Sequence, residues 1–270
     1  LDFRVAIWGE EKTGKTSMAL TFPKPLLHFD LDIGGYERAA WRLGASDTDG
    51  IISKVYSTPV QMSKMMGLEM DTDSKGNITT RFPKRVQGYR EVWQDIIVDF
   101  VKACENKDVS TIVIDSATQL WQICHRAELQ AKQEIQISKN PKISENELRE
   151  KLQPVEFPNE KMRQLIYTAK SYRKNLVLTH YPRPVYSSFM TSEGMKEMQT
   201  GEKEMDGFKE TLRLVDIQIL TELDKKSNPT ARITLCGLPG LGVTAVGMPI
   251  AEPTYQGLAN LAKSLGYNIE

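Results

Sequence analysis

The stretch GEEKTGKT, residues 9–16, sets a glycine, four free positions and then Gly-Lys-Thr directly behind the apolar run RVAIW. That spacing suits a phosphate cradle. Gly9 and Gly14 let the chain turn tightly, so that its N–H groups point inward at phosphate oxygens. Lys15 is placed to reach the outer phosphates, and the Thr16 hydroxyl to ligate Mg²⁺. The flanks agree: Val5, Ala6, Ile7 and Trp8 read as a buried parallel strand, and Lys15 to Phe22 as a short helix stopped by Pro23 and Pro25. Strand, glycine-rich turn and helix N-terminus in that order bind phosphate through backbone dipoles. Lys12, Thr13 and Ser17 complete the residues expected around the nucleotide.

A phosphate cradle that does chemistry needs a second carboxylate for the metal and a group that orients water. The run IVID ends on Asp115, where open α/β sheets hold their ligands, and is the candidate to share Mg²⁺ with Thr16. The competing reading has Asp115 capping a turn with Ser116. Asp30 and Asp32 in FDLDIGG stand two apart at a strand exit, so both could face the site, with Asp32 freer to reach the phosphate. Lys15 and Asp32 are thus the catalytic candidates, against a solvated pair of turn carboxylates. His180 closes the apolar run NLVLTH and is placed either as a polar sensor of the nucleotide or as a histidine bonded within the turn before YPRP.

These residues need a scaffold, and the pattern around them supplies one. LLHFD (26–30), IISKVYS (51–57), TIVID (111–115) and NLVLTH (175–180) read as strands. Tyr36 to Leu43, Tyr89 to Asn106, the stretch after Asp115 and Asn159 to Lys174 read as helices, with a short helix near Glu145 to Leu152. Strands alternating with helices argue a mainly parallel sheet covered by helices on both faces. DIQILTEL and ARITLCG, joined by DKKSNP, add an antiparallel hairpin toward one edge, and PTYQGLANLAKSLGY closes the chain as a helix. Residues 1–270 read as a single domain with insertions near 58–88, 136–158 and 181–213, the last a long polar segment.

With 40% hydrophobic and 26% charged residues the chain can bury an ordinary core, and 35 basic residues balance 35 acidic ones to zero net charge. Such a balance removes the composition argument for nucleic acid without excluding a local basic stripe. Cys104, Cys124 and Cys236 lack metal-site spacing, no run is long enough to span a membrane, and no signal-peptide layout is present, so a cytoplasmic protein is expected.

GEEKTGKTSMAL, FDLDIGG with YERAAWRLG behind it, TIVIDS and VLTH resemble the ATPase core of the RecA superfamily. They are closer still to small phage-encoded RecA-like nucleotide-binding proteins linked to single-strand annealing recombination. The resemblance implies a RecA-like P-loop NTPase fold, ATP and Mg²⁺ as cofactors, and hydrolysis with Asp32 as the catalytic carboxylate. Ala39 stands where that family carries an adenine-stacking aromatic, with Tyr36 and Trp41 nearby as substitutes. The resemblance also implies single-stranded DNA as partner, a homo-oligomer, and a recombination or single-strand-binding protein as a further partner, in the host cytoplasm if the chain is phage-encoded. Residues 181–213 would then meet DNA, with Tyr181, Tyr186, Phe189 and Phe208 as stacking platforms. Two other classes stay open: a P-loop phosphotransferase on a small molecule, and a nucleotide-dependent switch that recruits a protein partner.

Overall fold

Short apolar runs rich in β-branched residues form the centre of the molecule, because such side chains pack well on a pleated surface. In the computed structural model, which describes residues 2–32, 34–61, 69–72, 78–81, 84–143, 147–152, 158–191 and 194–267, they become strands β1 (Arg4–Gly9), β2 (Leu26–Asp30), β3 (Ile51–Val55), β6 (Thr111–Asp115), β7 (Asn175–His180) and β10 (Ile217–Leu223). With β11 (Pro229–Cys236) and β12 (Pro249–Ile250) they make one sheet in the order β12-β11-β10-β1-β7-β6-β2-β3. All pairings from β10 to β3 are parallel, while β11 and β12 run antiparallel at the opposite edge. The expected hairpin at one edge is β10–β11.

The period of two along each strand sends alternate side chains to opposite faces. Ala6, Ile112, Ile114, Leu176 and Leu178 pack into one apolar cluster, and Val5, Ile7, Val113 and Val177 into another. The first face is covered by α4 (Tyr89–Glu105), α5 (Ala117–Lys139) and α6 (Pro158–Ser171), through residues such as Ile96, Phe100, Leu120, Cys124 and Leu165. The second is covered by α1 (Lys15–Ala19), α2 (Gly35–Leu43) and α8 (Tyr255–Ser264), through Met18, Ala39 and Leu258. Two short helices, α3 (Ala45–Thr48) and α7 (Thr211–Leu214), complete the described set. The mainly parallel sheet with helices on both faces is therefore the architecture found.

Two strand pairs stand apart from the sheet. β4 (Glu69–Thr72) and β5 (Ile78–Arg81) pair antiparallel within the segment expected to be inserted at 58–88. β8 (Pro182–Thr191) and β9 (Gly194–Met205) form a long antiparallel ribbon where the sequence suggested only a polar segment. Residues 186–189 and 197–204 of this ribbon are all exposed, so it carries no in-and-out apolar alternation for a sequence pattern to show. The helix expected near Glu145 to Leu152 lies partly outside the described residues, and residues 148–152 are not helical.

Phe100 is 2% exposed and meets Phe29 edge-on at 6.4 Å between ring centroids, midway between α4 and the sheet. Phe100→Ala is expected to cost roughly 3–5 kcal/mol in urea-induced unfolding. A loss below about 1 kcal/mol would place Phe100 outside the core.

Candidate functional site

The parallel strands all deliver their C-terminal ends to one edge of the sheet, the edge where open α/β sheets hold ligands. Register places Asp30 opposite Asp115 on neighbouring strands and Trp8 opposite His180. The P-loop leaves β1 at Gly9, whose φ of 154° and surroundings both demand glycine: a Cβ there would stand 2.2 Å from the Thr221 carbonyl oxygen. Gly14, at φ 96°, enters α1 through the left-handed region. Thr13 donates to the Glu10 carbonyl at 2.9 Å and lies 2.7 Å from the Thr221 hydroxyl, so its side chain closes the loop against β10. The Lys15 ammonium is nearly buried and donates to the carbonyls of Gly9 (2.9 Å) and Glu10 (2.6 Å). Burial holds its pKa below the usual lysine range, partly opposed by the charges of Asp115 and Asp32.

Asp115 is 1% exposed and gathers polar groups from three other elements. Thr16 Oγ1, on α1, donates to its Oδ2 at 2.6 Å, and Thr179 Oγ1, on β7, donates to its Oδ1. His28 of β2 brings Nε2 within 3.5 Å of Oδ2, close enough for attraction and too long for a well-formed bond, while its Nδ1 lies 2.9 Å from Ser53 Oγ. Burial works to raise the Asp115 pKa, but the His28 ring and the two hydroxyls outweigh it and leave the carboxyl below the usual range. The neighbouring Ser116 caps α5, accepting from the Gln119 N–H at 3.3 Å. The capping role is thus taken by Ser116, and Asp115 is turned to Thr16.

Asp30 and Asp32 part company. Asp30 is 1% exposed and accepts from the N–H groups of Asp32 (3.1 Å) and Tyr36 (3.3 Å), bracing the turn into α2. Asp32 lines a cleft of 390 Å³ together with Lys12, Gly14, Lys15, Thr16, Ser17 and Asp115. Its carboxyl is raised above the usual range by burial, while a 2.6 Å hydrogen bond donated by the Tyr181 hydroxyl pulls the other way. The Lys15 ammonium sits over the Tyr181 ring, 4.9 Å from its centroid. Arg38 and Arg42, one turn apart on α2, also line the cleft, as do Gln119 and Ala39.

Seven of the sequence-derived residues therefore meet at one cleft, while Gly9 and Thr13 shape it from behind. His180 does not join them. It is fully buried, outside the cleft lining, and its Nδ1 donates to the Asp206 carbonyl at 2.8 Å, a bond to the residue that follows β9 rather than one within the turn before YPRP. Neither aromatic considered for adenine lines the cleft: Trp41 is 86% exposed, and Tyr36 packs 5.6 Å from the His28 ring. Of the proposed stacking platforms, Phe208 is core, 5.9 Å from Trp121, and Tyr181 belongs to the cleft, leaving Tyr186 and Phe189 exposed on the ribbon. Sequence reasoning missed Tyr181 as a cleft residue, together with Arg38, Arg42 and Gln119. The one available signal was helical spacing, which puts Arg38 and Arg42 on the face of α2 that follows Asp32.

A P-loop between β1 and α1, facing a carboxylate at the end of β6 on a parallel sheet, defines a P-loop NTPase fold. The AAA domain family model matches residues 2–224, from β1 through β10, and the chain belongs to that family. This places it among nucleotide-dependent ATPases. No curated protein sequence matches the chain. No helix among the described residues is long and apolar enough to cross a membrane.

Burial drives the His180 pKa down to about 4, so the unfolded chain takes up this proton first as pH falls. Its contribution is constant above pH 6.5 and turns against folding between about 6.5 and 4, by about 3 kcal/mol at the lower end. His180→Gln is expected to flatten the loss of unfolding free energy across that window by a comparable amount. An unchanged slope in denaturant titrations at pH 4.5 and 7 would show that His180 is not held neutral.

Proposed function

We propose that this protein is a Mg²⁺-dependent ATPase. The observation that carries the reading is the 2.6 Å approach of Thr16 Oγ1 to Asp115 Oδ2, in the same cleft as Lys15 and Asp32. A hydroxyl and one carboxylate are hard oxygen donors that suit Mg²⁺, which takes few protein ligands and completes its shell with phosphate and water. Bound there, Mg²⁺ would neutralise charge on the phosphates. The P-loop N–H groups and Lys15 hold the phosphate tail of ATP, with Lys12, Gly14 and Ser17 around it. Asp32 orients a water whose oxygen attacks the terminal phosphorus. The bond to the bridging oxygen breaks, ADP and phosphate leave, and the water's proton passes to the Asp32 carboxylate.

The work we assign to this activity is phage DNA recombination or single-strand annealing, performed by an oligomer on single-stranded DNA. The RecA-like motifs support it, as do the exposed Tyr186 and Phe189 on the ribbon. Stacking carries more of this contact than phosphate neutralisation, because Arg183 is paired with Glu204 at 2.6 Å and Lys203 with Glu10. A second reading, phosphoryl transfer to a small anionic acceptor, is favoured by Arg38 and Arg42 in the cleft wall.

Lys15→Ala is expected to abolish nucleotide binding, and Asp32→Asn to lower turnover roughly hundredfold while sparing binding. Turnover is also expected to rise with single-stranded DNA, and that stimulation to weaken only modestly at higher salt. Unchanged hydrolysis in both variants would sink the ATPase assignment. Equal wild-type turnover with and without DNA at both salt concentrations would remove DNA as the partner, and a phosphorylated acceptor in place of free phosphate would establish the second reading.

A further inference from the structure

We propose that Tyr181 is the positioning residue for Asp32, holding the carboxylate through its hydroxyl while its ring carries the Lys15 ammonium. The proposal rests on the ATPase reading above and adds to it the group that sets the geometry of the water-orienting carboxylate.

Asp32 lies just past β2, and Lys15 opens α1, so neither strand nor loop fixes one against the other. Tyr181, which follows β7, touches both: its hydroxyl is 2.6 Å from Asp32 Oδ2, and the Lys15 ammonium is 4.9 Å from its ring centroid. The backbone of Tyr181 is itself tied down. Its N–H donates to Thr118 Oγ1 at 3.1 Å, that hydroxyl donates to the Asp206 carbonyl at 3.1 Å, and the Asp206 N–H returns to the Tyr181 carbonyl at 2.8 Å. A closed ring of hydrogen bonds at the root of the β8–β9 ribbon therefore aims the side chain into the cleft.

The chemistry of the pair suits positioning. Burial raises the Tyr181 hydroxyl above the usual tyrosine range, and the bond to Asp32 and its charge add to the effect. The phenol thus stays protonated and donates, and cannot compete with Asp32 as a base. It occupies Oδ2 and leaves the other oxygen, Oδ1, to orient the water. A charge-assisted bond of this kind fixes the carboxylate rotamer at little entropic cost, since the tyrosine has few torsions to freeze. The ring adds a cation–π contact that keeps Lys15 on the cleft side of the P-loop.

Tyr181→Phe separates the two contacts, because it deletes the hydroxyl and keeps the ring. In steady-state hydrolysis with Mg²⁺ and ATP, kcat is expected to fall roughly tenfold. KM, the affinity for a fluorescent ATP analogue and the thermal unfolding midpoint should stay at wild-type values. Tyr181→Leu removes both contacts and is expected to lower kcat at least as far and to raise KM as well. A Tyr181→Phe enzyme with wild-type kcat would overturn the proposal, as would one that loses kcat, affinity and thermal stability together, the mark of a structural residue. Wild-type protein that binds the analogue and never turns over ATP would instead overturn the ATPase reading, and Tyr181's role with it.

Discussion

The arrangement of the cleft depends on one buried charge. Asp115 ends the central strand β6 almost without solvent, and an isolated carboxylate there would cost several kcal/mol. The fold meets that cost by bringing hydroxyls from α1 and β7 and an imidazole from β2 to the two oxygens. Each group lies on a different element, so satisfying the charge also ties the P-loop helix, β2 and β7 to the end of β6. The opening of α2 is constrained as well, since a Cβ on Gly35 would come within 3.3 Å of Asp115 Oδ2. A stability requirement and a functional geometry are met by the same contacts.

Around that centre the molecule divides into a rigid part and a projecting one. The sheet is packed on both faces, and its functional strand ends are clamped by side chains rather than by loops alone. The β8–β9 ribbon is paired only with itself, and a two-stranded ribbon has little stability of its own. Its root supplies what it lacks: Met205 is buried, Asp206 binds both His180 and Thr118, and Lys203 reaches back to Glu10 in the P-loop. The projecting element therefore reaches the P-loop at Glu10 and joins the cleft through Tyr181, the residue before β8. That connection runs through charge-assisted bonds, which are directional, rather than through apolar packing, which is not.

The balance of charge seen in composition has a structural counterpart. Several basic groups are paired locally, as are Arg163 with Glu210, Arg183 with Glu204 and Arg232 with Glu222. The cleft gathers both signs, with Lys12, Lys15, Arg38 and Arg42 lining it beside Glu11, Asp32 and Asp115. Cationic groups gathered in a concave, half-enclosed wall act on a phosphate chain more strongly than the same groups on an open surface.

The P-loop, the strands that carry Gly9 and Asp115, and the placement of Asp32 were all legible in the chain, because each depends on neighbours a few residues away. A positive φ calls for glycine, an apolar run needs a dry sheet, and a carboxylate ends a strand where the sheet ends. The alternation of Ile112, Val113 and Ile114 likewise announces two covered faces without any knowledge of what covers them. The ribbon escaped notice because both its faces meet water. Tyr181 and His180 are adjacent in the chain, yet one enters the cleft and the other is sealed beneath it, and no local pattern separates them. Their fates are decided by Asp32, 149 residues away in sequence, and by Asp206, 26 residues away. Propensity and periodicity act over a few residues and so are written in the sequence. Which distant groups share a hydrogen bond is settled only when the packed sheet brings their strand ends together.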